Sequence, residues 1–247
     1  HDISERKKVE DALRKAVEMK TEFTSTVSHE LRTPLAAIRE GISIVFDGTA
    51  GVLNKQQKEF LDIAKRNVDR LNRLINDILD FEKLESGKMA FNIQENDIND
   101  AVTEIEKTMR SVVEQGKIDL LVELDKNVPK VKFDRDKILQ VLTNLVNNAV
   151  KFTEKGFIKI KVEHEDNVVK VSVRDSGIGI KEEDLPRLFG KFEQLNTGVL
   201  RKTGGTGLGL SICKDIIAKH NGKIWAESKY GEGSAFIFVL PVREQRG

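Results

Sequence analysis

The chain has 247 residues, 33% of them charged, yet its formal net charge is only +1, so opposite charges are interspersed and no basic field for nucleic acid is present. A length of this order allows one large or two modest domains. The single cysteine, Cys213, excludes an internal disulfide and suits a reducing compartment, no apolar run approaches the roughly 20 residues of a membrane-spanning helix, and no signal peptide opens the chain.

Residues 1–22 read as a helical linker. From Val9, apolar or small residues recur at Leu13, Ala16, Phe23, Val27, Leu31, Ile38, Ile42 and Val45, the spacing of a packed helix seam. Lys20 interrupts the seam. Pro34 lies within it and removes one helix hydrogen bond, which predicts a local bend. Asp47-Gly48-Thr49-Ala50-Gly51 ends the helix. A second periodic run holds Phe60, Leu61, Ala64, Val68, Leu71, Leu74, Ile75, Ile78, Phe81 and Leu84, and Gly87 caps it. The two helices form an antiparallel hairpin over 23–87. About 65 residues in two helices cannot enclose a core, and both apolar stripes are wide. The expectation is a homodimeric antiparallel four-helix bundle. The alternative is a hairpin docked on the chain's own C-terminal half.

After Met89 the period changes, and 90–243 reads as a second domain. Strands are expected at 91–93, 118–124, 158–164, 168–175, 224–227 and 235–240, and helices at 98–113, 134–151 and 211–220. Helices mixed with strand hairpins predict an α+β fold, with one mixed sheet under a layer of helices.

Four groups of residues carry chemistry. Asn144 and Asn148 are four apart on one predicted helix, with Lys151 on the same side. Amide oxygens are hard ligands suited to Mg²⁺, and a lysine ammonium suits triphosphate oxygens. Asn is a poor helix former, so such a cluster is costly without a use. Asp175 ends a strand before Ser176-Gly177-Ile178-Gly179, where a carboxylate can accept a bond from the exocyclic amine of adenine. Taken alone, that pattern is equally a common turn. Gly204-Gly205-Thr206-Gly207-Leu208-Gly209-Leu210 feeds a helix N-terminus, whose free N–H groups suit phosphate. It matches neither a P-loop nor a dinucleotide-binding turn, and the polar stretch 193–203 before it reads as a mobile lid. Finally, His29 lies mid-helix beside Glu30 with Thr33 four residues on. A neutral imidazole is a nucleophile near pH 7, and an adjacent carboxylate can hold its tautomer. His164 and His220 have no such context, and His220 reads as a helix end.

These motifs stand in one order: Ser28-His29-Glu30-Leu31-Arg32-Thr33-Pro34-Leu35, then 144–153, Asp175-Ser176-Gly177-Ile178-Gly179, the pair Phe189 and Phe192, and the 204–210 glycine turn. From about residue 21 to 242 the chain resembles the sensor histidine kinases of two-component signalling. The resemblance implies an ATP-dependent protein-histidine kinase: the dimeric bundle, then an α/β-sandwich ATP-binding domain of the gyrase, chaperone and histidine kinase type. It implies that His29 takes the γ-phosphoryl group of ATP and passes it to an Asp of a response regulator, that Glu30 assists, and that Thr33 orients water when the regulator is dephosphorylated. It implies Asn148 as principal Mg²⁺ ligand with Asn144, Lys151 as a phosphate contact, and Asp175 as adenine selector. Phe152, Gly177, Gly179, Phe192, Gly205, Thr206, Gly207, Leu208 and Gly209 complete the implied nucleotide site. One departure stands out. Many members place an Arg where this chain has Gln194, and Arg201-Lys202 resembles the alternative lid pattern, so the phosphate contact is expected from Arg201 and Lys202. The opening residues 1–8 resemble the end of a PAS sensor domain, which implies the cytoplasmic output part of a longer protein, with no membrane contact within this chain. Gyrase, chaperone and mismatch-repair ATPases carry Glu at the place of Asn144. An amide cannot act as general base, which argues against hydrolysis. A scaffold with a dead nucleotide site is opposed by the intact Asn148, Lys151, Asp175 and glycines.

Overall fold

The computed structural model describes residues 2–194 and 206–242. The chain divides into two compact units, His1–Met89 and Ala90–Gly247. Among the described residues, no helix is long and apolar enough to cross a membrane.

The first unit is a helical hairpin of α1 (Asp2–Phe46) and α2 (Lys55–Glu85). Pro34 is carried inside a continuous α1. The N–H it lacks would have bonded the carbonyl of Glu30, so the missing bond falls in the turn that follows His29. Gly48, with φ +80°, turns the chain out of α1. A capping box starts α2: Asn54 Oδ1 accepts from the Gln57 N–H at 2.8 Å, and Gln57 Oε1 accepts from the Asn54 N–H at 2.9 Å. Gly87, with φ +65°, lies just past the Ser86 cap that closes it. The antiparallel alignment is visible in three cross-ties: Lys20 Nζ to Glu82 Oε1 at 2.9 Å, Arg32 Nη2 to Asn76 Oδ1 at 3.0 Å, and Arg39 Nε to Asp69 Oδ1 at 3.3 Å. Lys20, the interruption in the predicted seam, is thus tied across the hairpin.

Between the helices, Leu35, Val68, Ile75 and Leu79 are buried, with Ile42 packed against them. The seam divides differently from its sequence pattern. Val27, Leu31 and Ile38, expected inside, are exposed in this hairpin, and Leu35, one turn beyond Leu31, fills the contact. A pair of helices meets along one line, and stripes this wide exceed it. On α2 the same holds for Phe60, Leu71 and Ile78, which are exposed.

The second unit contains β1 (Gln94–Asn96), α3 (Ile98–Gln115), β2 (Ile118–Leu124), β3 (Val131–Phe133), α4 (Arg135–Phe152), β4 (Gly156–Glu165), β5 (Val168–Asp175), a 3-10 turn (Glu182–Arg187), α5 (Gly209–Lys219), β6 (Lys223–Lys229) and β7 (Gly233–Pro241). Five strands form one mixed sheet in the order β2-β4-β5-β7-β6, in which only β2 and β4 run parallel; β1 and β3 form a separate antiparallel pair. Alternation fixes the faces. Ile158, Ile160 and Val162 of β4, and Val169, Val171 and Val173 of β5, are buried. So are Ile105 and Val113 of α3, Ile138, Leu142 and Val146 of α4, and Ile212 and Ile216 of α5. This is the predicted layer of helices on one mixed sheet.

The strand expected at 91–93 is not formed; pairing begins at Gln94, opposite Phe133. Phe91 instead packs edge-on against the His220 ring, with centroids 5.6 Å apart.

Candidate functional site

Helix α4 builds the first wall of the site. Asp134 caps it, its Oδ1 accepting from the Lys137 N–H at 3.1 Å. The apolar stripe from Ile138 to Ala149 is buried, which leaves Asn144, Asn148 and Lys151 half-buried along the flank, while Asn147 is exposed. Asn148 Nδ2 donates to Asn144 Oδ1 at 3.4 Å, so the two amides lie side by side as their spacing predicted. Lys151 Nζ lies 5.1 Å from the centre of the Phe152 ring.

The end of the glycine turn rests on this amide face. A Cβ on Gly209 would lie 2.5 Å from Asn144 Nδ2, so any side chain there would push the Asn144 amide aside. Leu208 is buried and anchors the turn, and its N–H donates to Thr206 Oγ1 at 3.0 Å. Gly207 takes φ +71° where its Cα passes the Phe192 backbone. No side chain caps α5. Among the described residues its first N–H groups thus have no side-chain acceptor, the arrangement that can receive anions. Phe192 itself has φ +60° and an exposed ring. Gly205, Arg201 and Lys202 lie outside the described residues.

The other wall comes from the end of β5. Asp175 is buried, and its Oδ1 accepts from the Gly177 N–H at 2.8 Å and the Ser234 N–H at 3.3 Å. Burial pushes its carboxyl above the ordinary value; those two bonds and the nearby Arg174 pull the other way. The Ile178 N–H donates to the Phe152 carbonyl at 3.2 Å, so the turn after Asp175 is tied to the C-terminal end of α4. Gly177 has no room for a Cβ between that carbonyl and Asp175 Oδ1. Gly179 takes φ +68° against the Lys229 carbonyl. Asn144, Asn148, Phe152, Gly209 and the Asp175 turn thus belong to one connected patch of the second unit.

His29, Glu30 and Thr33 stand on the hairpin unit and are exposed. Thr33 Oγ1 reaches the His29 carbonyl at 3.5 Å, a long bond within the same helix. The imidazole is open to an incoming group, while its neighbour Ser28 is buried.

Two family models match the chain: the His Kinase A (phospho-acceptor) domain over residues 19–87, and the histidine kinase-, DNA gyrase B- and HSP90-like ATPase over 133–244. The catalytic domain of the histidine kinase ThkA is 39% identical with a TM-score of 0.54, and the match covers 62% of this chain and 99% of that domain. The chain belongs to the histidine kinase family. The circadian input-output histidine kinase CikA of Synechococcus elongatus is 38% identical over 225 residues, which make up 90% of this chain but 30% of CikA. The chain therefore spans about a third of the length of that curated relative. Full-length ShkA in complex with AMPPNP is similar at 28% identity and a TM-score of 0.73, covering 89% of this chain and 45% of ShkA. ThkA in complex with the response regulator TrrA is similar at 30% identity and a TM-score of 0.64, covering 95% of this chain and 65% of that one.

In this histidine kinase the sequence pattern missed the residues that brace the Asp175 turn from behind. Ser228 Oγ accepts from the Ile180 N–H at 2.7 Å, donates to the Gly233 carbonyl at 2.8 Å and lies 2.9 Å from Ser234 Oγ. The Gly231 N–H donates to the Ile178 carbonyl at 2.8 Å. The signal available was Gly231-Glu232-Gly233-Ser234, two glycines in a strand connection followed by a serine. Nothing local in that stretch shows that the turn abuts Asp175.

Proposed function

We propose that the chain is the output part of a sensor histidine kinase, organised as a signalling linker (1–22), a dimerisation and phosphotransfer hairpin (23–87) and an ATP-binding catalytic domain (90–243). The observation that carries this reading is the placement of the glycine turn on Asn144, whose amide pairs with that of Asn148, on a helix whose far end is bonded to the Asp175 turn. One patch thus presents an adenine acceptor, helix N-terminal N–H groups and paired amide oxygens.

Asp175 accepts from the adenine amine, and Gly177, Gly179 and Phe152 shape the surface for the base. Thr206, Gly207, Leu208 and Gly209, together with Gly205, present backbone N–H groups to the phosphates. Lys151, Arg201 and Lys202 supply positive charge, and Phe192 flanks the turn. Among the described residues no cluster of three or more His, Cys, Asp or Glu could hold a metal by itself. A hard cation here would rest on amide oxygen and the nucleotide's own phosphates, and the side-by-side amides of Asn148 and Asn144 fit that donor set. Mg²⁺ bound there neutralises triphosphate charge and aligns the γ-phosphoryl group.

His29 attacks the γ-phosphorus with the lone pair of its unprotonated ring nitrogen. A P–N bond forms, the bond to the ADP oxygen breaks, and Glu30 takes the proton released from the other ring nitrogen. An Asp carboxylate of a response regulator then receives the phosphoryl group from His29. Thr33 positions water for the reverse task, removing phosphate from that regulator. Two copies of the hairpin pack as a four-helix bundle, a PAS-like sensor lies upstream, and the unit works in the cytoplasm.

Incubating the chain with γ-labelled ATP and Mg²⁺ tests the reading. The expected product is labelled protein, stable to base and labile to acid, and His29→Gln should abolish the label while ATP still binds. Labelling that persists in His29→Gln, or phosphate release without labelled protein, overturns it.

A further inference from the structure

We propose that His220 is a positioning residue for the nucleotide site: it pins the C-terminal end of α5 to the N-terminal end of α4, and so sets how the glycine turn at the other end of α5 lies on Asn144. The inference rests on the nucleotide-binding reading above.

Two close approaches between α5 and the start and middle of α4 bear on the turn. At the start of α5 Gly209 abuts Asn144. At its end His220 Nε2 accepts from the backbone N–H of Asp134 at 2.9 Å. Residues 209 and 220 are separated by about 16 Å along a helix and residues 134 and 144 by about 15 Å, at ~1.5 Å per residue. The helices therefore run antiparallel with matched pins. The ring's second bond is internal to α5: Nδ1 donates to the Ile216 carbonyl at 2.8 Å.

Only one form of the ring serves both bonds. The Asp134 N–H can only donate, so Nε2 must be bare and Nδ1 must carry the proton. Burial holds the imidazole below its ordinary basicity, against the bond to Ile216 and the charge of Asp134, which keeps the ring neutral. The node is more than a helix cap. Asp134 also caps α4, and its Oδ2 takes the Asn92 N–H at 2.7 Å; Phe91 packs edge-on against the imidazole. Three chain segments, one of them the entry to the second unit, thus end on one buried, fully paired histidine.

Two substitutions separate the two bonds. The side-chain amide of Asn reaches the place of Nδ1 and can still donate to Ile216. The amide of Gln reaches the place of Nε2 and can still accept from Asp134. With the full chain, binding of Mg–ADP is measured by calorimetry for the wild type, His220→Asn and His220→Gln, with thermal unfolding alongside. His220→Asn should bind about tenfold more weakly, the effect of one lost buried hydrogen bond, whereas His220→Gln should stay within about threefold of wild type even though it is also less heat-stable. Equal losses in the two variants, or full affinity in His220→Asn, overturn the pin. No binding by the wild type overturns the nucleotide reading, and the pin with it. If a variant unfolds, nitrogen-15 histidine NMR of the wild type decides: an Nδ1–H tautomer whose Nε2 resonance moves on adding Mg–ADP supports the pin, and an unmoved resonance overturns it.

Discussion

At Asp175 two requirements oppose each other. In the proposed adenine-reading role the carboxylate must be charged to accept strongly from an exocyclic amine, yet burial pushes its pKa up. Because the folded state binds the proton more readily than the unfolded chain, ionising this group at neutral pH costs stability, and stability recovers as pH falls through the raised value. Asp175→Asn removes that cost and keeps an oxygen for the N–H groups of Gly177 and Ser234. The variant should therefore unfold no earlier than wild type at about pH 7, while its ATP affinity drops by about 1–3 kcal/mol, the cost of spoiling a buried charged hydrogen bond. Calorimetry with denaturant melts checks both halves, and unchanged ATP affinity would mean that adenine is read elsewhere. Asn148→Ala makes a complementary case. Its side chain is half-buried and, among the described residues, bonded to Asn144 alone, so the fold should persist while Mg-dependent labelling of His29 disappears; normal labelling would remove Asn148 from the metal site. His220 runs in the opposite pH direction. Its folded value is lowered by burial. As pH drops below the ordinary imidazole range the unfolded chain takes up a proton that the folded state refuses. Stability is complete above that range and is lost down to the folded value. Urea midpoints from about pH 7.5 to about pH 5 should fall more steeply for wild type than for His220→Gln, and parallel slopes would refute the assignment.

Elements form where local signals and long-range pairing agree. At the start of α2 the capping box Asn54–Gln57 satisfies two backbone donors at once. Asn54→Ala should cost about 1 kcal/mol in chemical denaturation, with activity retained in the folded fraction; no loss would mean that the solvent caps this end equally well. Long periodic elements were legible in the residues alone. Alternation of Val169, Val171 and Val173 defined β5, and the Asn144/Asn148 spacing defined the working face of α4. Short elements were not. β1 and β3 have three residues each, too few for a period, and their existence depends on pairing across 37 positions, Asn96 Nδ2 to the Phe133 carbonyl at 2.8 Å included. Phe91 looked like the start of a strand because it is aromatic and followed by Ile93; what it packs against, His220, lies far along the chain. The same distance hid Ser228 behind Asp175. The Asp175 turn itself was visible because Asp175, Gly177 and Gly179 are contiguous in the sequence, whereas the backbone that crowds its glycines, at Phe152 and Lys229, and its brace arrive from elsewhere in the chain.

For the whole molecule, the decisive quantity is apolar surface that the single chain leaves uncovered. On the hairpin, Val27, Leu31, Ile38 and Ile44 of α1 and Phe60, Ile63, Leu71 and Ile78 of α2 are each more than a third exposed. Scattered apolar residues on a surface need no explanation, but these recur along two adjacent helices at helical spacing. Fully burying such a side chain is worth about 1.5–3 kcal/mol, so covering the exposed part of these residues on both copies is a strong drive to association. Among the described residues of the hairpin, by contrast, the buried apolar side chains are Leu35, Val68, Ile75, Leu79, Phe81 and Leu84. The uncovered apolar residues outnumber the buried ones among the described residues, and the expectation is that a second copy of the hairpin covers them. The chain should therefore run in light scattering at twice its 27.8 kDa at micromolar concentration. Leu71→Arg combined with Ile78→Arg places two charges seven residues apart on the same exposed face of α2. The double variant should be monomeric. It should also bind Mg–ADP as wild type does, since the nucleotide patch is built wholly from the second unit. A wild-type monomer would show that the apolar face is covered some other way, and a double variant that remains dimeric would place the interface on a different surface.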